Sequence, residues 1–164
     1  MKKLRLVILF GVVALGVGLL TLPGQQENSA APDFSIKDLR GNTVSLAGFK
    51  GKVLVMNFWA TWCPPCRAEI PDLIDVYGRM KADGLEILGL SVDRATPDEL
   101  LGWVEKAGIN YTVAMATPEI VEAYRPGDYI PSTIIVDRAG RIRYRSTGVI
   151  DRNTLVRLVK KLAK

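Results

Sequence analysis

Two cysteines, Cys63 and Cys66, flank Pro64 and Pro65, and the 164-residue chain has no others. Such a pair can be a covalent staple, part of a metal site or a redox reagent. A staple across so short a loop removes only about 2 kcal/mol of unfolded-state entropy, and a chain with 48% apolar residues can build a core without it. Zinc or copper would recruit histidine or a second cysteine pair, and the sequence has no histidine. Arg67 stands where a haem-attachment motif needs histidine. Thiol–disulfide exchange remains, and it needs one activated thiol with a second in reach of the mixed disulfide.

The elements around the pair suit that need. VLVMNF at 53–58 is a nearly continuous apolar run, the pattern of a strand covered on both faces. It ends at Trp59 or Ala60, and a helix begins near Cys63. Cys63 then sits at the helix N-terminus, where free N–H groups and the dipole favour thiolate, and it is the expected nucleophile. Cys66, one turn deeper on the same side, is the expected resolving thiol. Pro64 and Pro65 fit the first helical positions but offer no N–H to the Cys63 sulfur. A moderate thiolate shift is therefore expected, with a reducing or neutral poise of roughly −200 to −300 mV. Trp62, Pro64 and Pro65 are assigned to the surface that meets substrate, and Trp59 to the core. Glu86, the one charged residue in LEILGLSV at 85–92, is a candidate base for Cys66 if it faces the cysteine helix, and otherwise a strand-end residue reaching solvent. Glu69 reads as a solvated acid of the helix.

Phe34–Ile36 and Thr43–Leu46 flank a Gly41-Asn42 turn and read as a hairpin. LEILGLSV is a second buried strand. Thr96-Pro97-Asp98-Glu99 has capping-box form, and Leu100, Trp103, Val104 and Ala107 follow at helical spacing up to Gly108. A short strand at Tyr111–Met115 and a short helix at Pro118–Tyr124 lead to strands at 132–136 and 141–147, joined by a tight turn. Leu155, Leu158, Val159 and Leu162 mark the inner face of a last helix. One α/β domain with a mixed sheet follows from this order.

Residues 1–24 carry Lys2, Lys3 and Arg5 ahead of an uncharged run from Leu6 to Leu22. That is an N-terminal membrane anchor or a cleavable signal, with the following domain outside the cytoplasm in both cases. Cleavage after Ala30 or Ala31 is poorly supported, because Asn28 is large for its position and Pro32 follows the second site. Residues 25–31 read as a polar linker. Beyond residue 31 there are 19 cations and 16 acids, a net +3, too mild to suggest nucleic acid. Arg141, Arg143 and Arg145 share one face of their strand, as a solvated row or a docking patch for an acidic partner.

FWATWCPPC, Pro71 and YIPST together resemble the thioredoxin fold, and specifically the membrane-tethered TlpA/ResA-like thiol-disulfide oxidoreductases, over roughly residues 32–164. The resemblance implies a mixed central sheet flanked by helices, with an N-terminal hairpin and a helix–strand insert. It implies a cis Pro131 beside Cys63, Ile130 offering its backbone to an extended substrate segment, and a helix kink at Pro71. It strengthens Glu86 as the acid beneath the cysteines, because the buried aspartate of cytoplasmic thioredoxins is matched here by Asn57, which cannot ionise. It also implies a reductant of extracytoplasmic protein disulfides, apocytochrome c among them, fed by a membrane thiol relay. The chain would be a single-pass protein of the bacterial cytoplasmic membrane, or a secreted or periplasmic one after signal cleavage. No cofactor or metal beyond the redox-active Cys63–Cys66 disulfide is expected.

Two alternatives remain open at this point. A peroxiredoxin-like thiol peroxidase shares the opening APDF and hairpin, yet Ala60 stands where a threonine or serine is expected and a resolving cysteine follows at once. A non-enzymatic module holding a soft ion such as Cu(I) between two thiolates lacks nearby histidine or methionine to complete the shell.

Overall fold

Apolar runs and turn residues divide residues 25–164, the part described by the computed structural model, into β1 (Gln25–Ala30), β2 (Ser35–Lys37), β3 (Thr43–Ser45), β4 (Val53–Trp59), α1 (Pro64–Met80), β5 (Leu85–Ser91), α2 (Pro97–Lys106), β6 (Thr112–Met115), α3 (Pro118–Tyr124), β7 (Ser132–Val136), β8 (Arg141–Thr147) and α4 (Arg152–Leu162). The main sheet runs β1-β8-β7-β4-β5-β6. β5 lies parallel to both β4 and β6, and the other pairs are antiparallel. β2 and β3 form the separate hairpin expected around Gly41, whose φ of +83° is glycine territory.

All seven residues of β4 are buried, as its unbroken apolar run predicts for a strand with both faces covered. Its side chains alternate between two cores. Val53, Val55 and Trp59 pack in one with α1, α2 and α4; Leu54, Met56 and Phe58 pack in the other with Ile36, Ile120 and Tyr124. Asn57 belongs by parity to the α1 side. Gly89 in β5 opens room there: a Cβ at this position would come within 3.1 Å of Trp59 Nε1 and 3.2 Å of Tyr111 Cε2.

The stops and starts follow the sequence closely. Thr96 and Glu99 make a reciprocal capping box on α2, and Asp151 caps α4. Pro71 lies inside α1, where it withholds an N–H from the helix ladder.

The N-terminal expectation changes in one respect. Residues 25–30 are no free linker, because they pair with β8 from Gln25↔Arg145 to Ala30↔Arg141. Polar side chains suit an edge strand with one open side, and the arginine row supplies the grip. Arg145 Nε lies 2.5 Å from Glu27 Oε2, and Arg141 Nε lies 2.7 Å from Asn28 Oδ1. Arg143 pairs with Asp137 at 3.0 Å. The row is thus engaged within its own chain. The anchor-or-signal segment lies outside the described residues, and among the described residues no helix is long and apolar enough to cross a membrane.

Candidate active site

β4 ends at Trp59, and the chain turns through Ala60, Thr61 and Trp62 before α1 begins. Asp93, just beyond β5, holds that turn: its carboxylate accepts from Thr61 N at 2.9 Å, Thr61 Oγ1 at 2.7 Å and Ser91 Oγ at 2.7 Å. Cys63 is the N-cap of α1, with Pro64 and Pro65 in the first two helical positions. Cys66 N–H points at Cys63 Sγ from 3.3 Å, the first amide able to do so after two residues without one. The cysteines form a disulfide with Cα atoms 5.3 Å apart. Cys63 retains 4% exposure and Cys66 none, so only the first sulfur can be met from outside.

The Ile130–Pro131 bond is cis, and the Ile130 carbonyl oxygen lies 3.8 Å from Cys63 Sγ. Pro131 is buried, Ile130 half-buried, and Pro64 and Pro65 exposed. Pro131 O accepts from Gly148 N at 2.8 Å, which brings the loop after β8 to the same rim. Trp62, Tyr129 and Val149 are 65%, 75% and 53% exposed. The site thus presents a partly covered sulfur among exposed apolar side chains and a half-buried backbone carbonyl.

The carboxylates fall otherwise than expected. Glu86 touches the cysteine helix, but at its far end: it accepts from Tyr77 Oη at 3.0 Å and from Lys52 Nζ at 2.6 Å. Tyr77 lies eleven residues after Cys66, about 16 Å along the helix axis. β4 and β5 are parallel, so Glu86 pairs with Leu54 while Ser91 pairs with Trp59. The cysteines follow the C-terminal end of β4, and the base expected of Glu86 cannot be served from the other end. Burial and the ion pair with Lys52 account for this glutamate as a strand-end residue.

Glu69, expected in solvent, is the carboxyl beneath the cysteine pair. It is 1% exposed, three residues after Cys66 on the buried face of α1. Asn57 Nδ2 donates to its Oε1 at 2.6 Å, and Ile150 N donates to its Oε2 at 3.1 Å. Burial pushes its pKa up to about 7, against the opposing pull of those two hydrogen bonds. Asn57 therefore has a part to play without ionising: it can donate to a carboxylate, which a second carboxylate in its place could not. A signal for Glu69 was present in the helix spacing, since Cys66, Glu69, Ile70, Leu73, Val76, Tyr77 and Met80 form one buried stripe.

The geometry defines a thioredoxin-fold dithiol–disulfide site, and similarity to known proteins agrees. The model of the AhpC/TSA family matches residues 28–157. The thiol-disulfide oxidoreductase ResA of Bacillus thuringiensis (strain Al Hakam) is 31% identical, over 99% of this chain and 99% of the relative. ResA of Bacillus subtilis (strain 168) is 30% identical, over 91% of this chain and 88% of the relative. The crystal structure of a thiol:disulfide interchange protein of the thioredoxin family from Chlorobium tepidum TLS superposes with a TM-score of 0.77 at 32% identity, covering 85% of this chain and 99% of that one. The chain belongs to the AhpC/TSA family and, within it, to the ResA-like thiol-disulfide oxidoreductases of the thioredoxin superfamily.

Proposed function

We propose that this oxidoreductase works outside the cytoplasm as a membrane-tethered reductant of protein disulfides. The observation that carries the reading is the asymmetric cysteine pair: one sulfur at the rim on a helix N-terminus, the other fully buried one turn from a buried carboxyl. In the dithiol form the Cys63 thiolate attacks a substrate disulfide, forming a Cys63–substrate bond and releasing one substrate thiolate. Glu69, ionised, then takes the proton of the Cys66 thiol. The Cys66 thiolate attacks Cys63 Sγ, the substrate leaves as a dithiol, and the Cys63–Cys66 disulfide forms. Two electrons pass to the substrate, one of its thiols takes the Cys66 proton by way of Glu69 and the other takes a proton from solvent, and a second dithiol must restore the pair. Trp62, Pro64, Pro65, Ile130 and Pro131 frame the approach, with the Ile130 backbone placed to pair with an extended segment beside the target cysteine. The N-terminal cations and apolar run support a retained anchor with the domain on the far side of the membrane. Likeness to ResA supports a substrate among extracytoplasmic proteins that must be reduced before cofactor attachment, apocytochrome c being the candidate.

The test is Cys66→Ala in cells. It should leave mixed disulfides on Cys63 that mass spectrometry can name, and these should vanish in Cys63→Ala. Recovery of a c-type cytochrome precursor supports the maturation role, whereas many unrelated adducts point to a general reductant. Insulin reduction by the purified protein should be lost in Cys63→Ala, and an oxidase without reductase activity would overturn the proposed direction.

A further inference from the structure

We infer that Asn57 is a two-position switch: its amide donates to Glu69 when that carboxyl is ionised and, turned by half a revolution about χ2, accepts from it when it is protonated, with Thr133 a partner to both orientations. Asn57 is thus a positioning residue that acts through Glu69. This rests on the proposed part of Glu69 as the base for Cys66.

A side-chain amide has a donor end and an acceptor end of nearly the same shape, and here one end alone is employed. Asn57 Nδ2 donates to Glu69 Oε1 at 2.6 Å and to Thr133 Oγ1 at 3.4 Å, whereas Asn57 Oδ1 is buried without a partner among the described residues. A half-turn about χ2, a soft two-fold torsion in asparagine, exchanges the ends. Oδ1 then faces the same two groups, and each can answer it, because a hydroxyl both accepts and donates and a protonated carboxyl carries an O–H. One end of the amide is idle in either orientation, so the proton on Glu69 decides between them. The other partner of Glu69 has no such freedom: Ile150 N is main chain, lies 3.1 Å from Oε2 and can only donate. A proton on this carboxyl therefore finds its acceptor at the Asn57 side, once the amide has turned.

The place in the sheet suits this part. Asn57 stands between Thr133 of β7 and Gly89 of β5, a hydroxyl on one side and no side chain on the other. Asn57 and Thr133 are 0% exposed, so bulk water does not compete for these bonds and the choice of partner is made inside the protein. Burial sets the Glu69 pKa at about 7, and Asp72 on the same helix pushes it the same way, so both protonation states are drawn on near neutrality. Tyr111, just ahead of β6, feels the Glu69 charge, but burial raises its hydroxyl so far that it stays neutral over this range. Cys63 and Cys66 are the remaining titratable groups here; β4, β5 and β7 meet Glu69 with Asn57, Gly89 and Thr133, which do not titrate, and α4 turns apolar Leu155 and Val159 inward. In turnover the Cys66 thiol gives its proton to Glu69, the amide turns, and the acid O–H is held against Asn57 Oδ1. The proton is then not handed back before the Cys66 thiolate attacks Cys63 Sγ. When it leaves for the released substrate thiolate, the amide turns back.

The experiment uses the oxidised full chain in detergent micelles, with asparagine side-chain amides labelled with nitrogen-15 and glutamate δ-carbons with carbon-13, titrated from acid to alkaline pH through the Glu69 midpoint. The nuclear Overhauser effect from the Asn57 Nδ2 protons to the β-proton of Thr133 should be present above that midpoint and weaken severalfold below it, in step with the Glu69 δ-carbon. Asn57→Leu removes both ends of the amide, so both forms of Glu69 lose a partner, and the midpoint of the pH limb of the resolving step should move by less than about tenfold in proton affinity. A fixed donor would serve the carboxylate alone, and its loss would move the midpoint by well over that. A contact with Thr133 that persists unchanged through the Glu69 titration overturns the switch alone, as does the larger displacement. If Glu69→Gln leaves the pH limb in place, the reading of Glu69 as the base falls, and the switch's part in turnover with it.

Discussion

Glu69 titrates near neutrality because a carboxyl with 1% exposure is costly to ionise even with two donors, and its pKa of about 7 against an ordinary 4.5 sets a pH window. Below pH 4.5 the group is protonated folded or unfolded, and its contribution to stability is complete. As pH rises to about 7 the unfolded chain loses a proton that the fold retains, so stability falls across that interval by on the order of 3 kcal/mol and then levels off. Glu69→Gln should flatten this slope in urea unfolding of the oxidised protein, and an unchanged slope would assign the titration elsewhere. The resolving step should show the complement: its rate rises with pH through about 7 in the native protein, while in Glu69→Gln it is about 100-fold slower and loses that limb. Cys63 and Cys66 were legible from local pattern, a helix start after a buried strand, whereas the cis Pro131 beside Cys63 was implied only by the resemblance that YIPST helps to carry. The two carboxylates were exchanged for a reason equally physical. Glu86 stood out as a lone charge in an apolar strand, but its distance from the cysteines depends on which end of β5 meets which end of β4. Glu69 lay inside a buried stripe whose register needed Cys66 counted as its first member.

At the scale of elements, α1 is where sequence and chemistry meet. Its first two residues are prolines and its third is Cys66, so one amide faces Cys63 Sγ where a helix opening with other residues would direct more. Pro65→Ala should restore one such donor, stabilise the thiolate and hence the reduced form, and raise the reduction potential by about 20–30 mV, the equivalent of one net hydrogen bond. A glutathione equilibrium reads this directly, and an unaltered potential would show that the amide is not aimed at the sulfur. The start of α1 near Cys63 and the bounds of α2 and α3 were readable, from Thr96 and Glu99, from Gly108, and from Pro118. β1 was not, because QQENSA carries neither the apolar alternation nor the β-branched content of a strand. Its pairing is decided by partners 113 and 118 residues away in sequence, Arg141 with Asn28 and Arg145 with Glu27.

Across the whole molecule, β1 closes one edge of a six-stranded sheet whose other edge, β6, has four residues. A chain beginning at Ala31 would leave β8 as the new edge, seven residues long, with its backbone groups open. It should melt roughly 5 °C lower and self-associate with concentration in analytical ultracentrifugation, whereas a chain beginning at Gly24 should stay monomeric. The strand also bears on the proposed export. The two candidate cleavage bonds, after Ala30 and after Ala31, lie at the end of β1, where Ala30 pairs with Arg141 and Ala31 N–H is bonded to Gly140 O. A protease acts on extended, unpaired chain, so cleavage must occur before the sheet closes or not at all. If the domain is exported as proposed, folding and processing compete for the same few residues, and a domain that folds quickly would keep a tether by hiding these bonds.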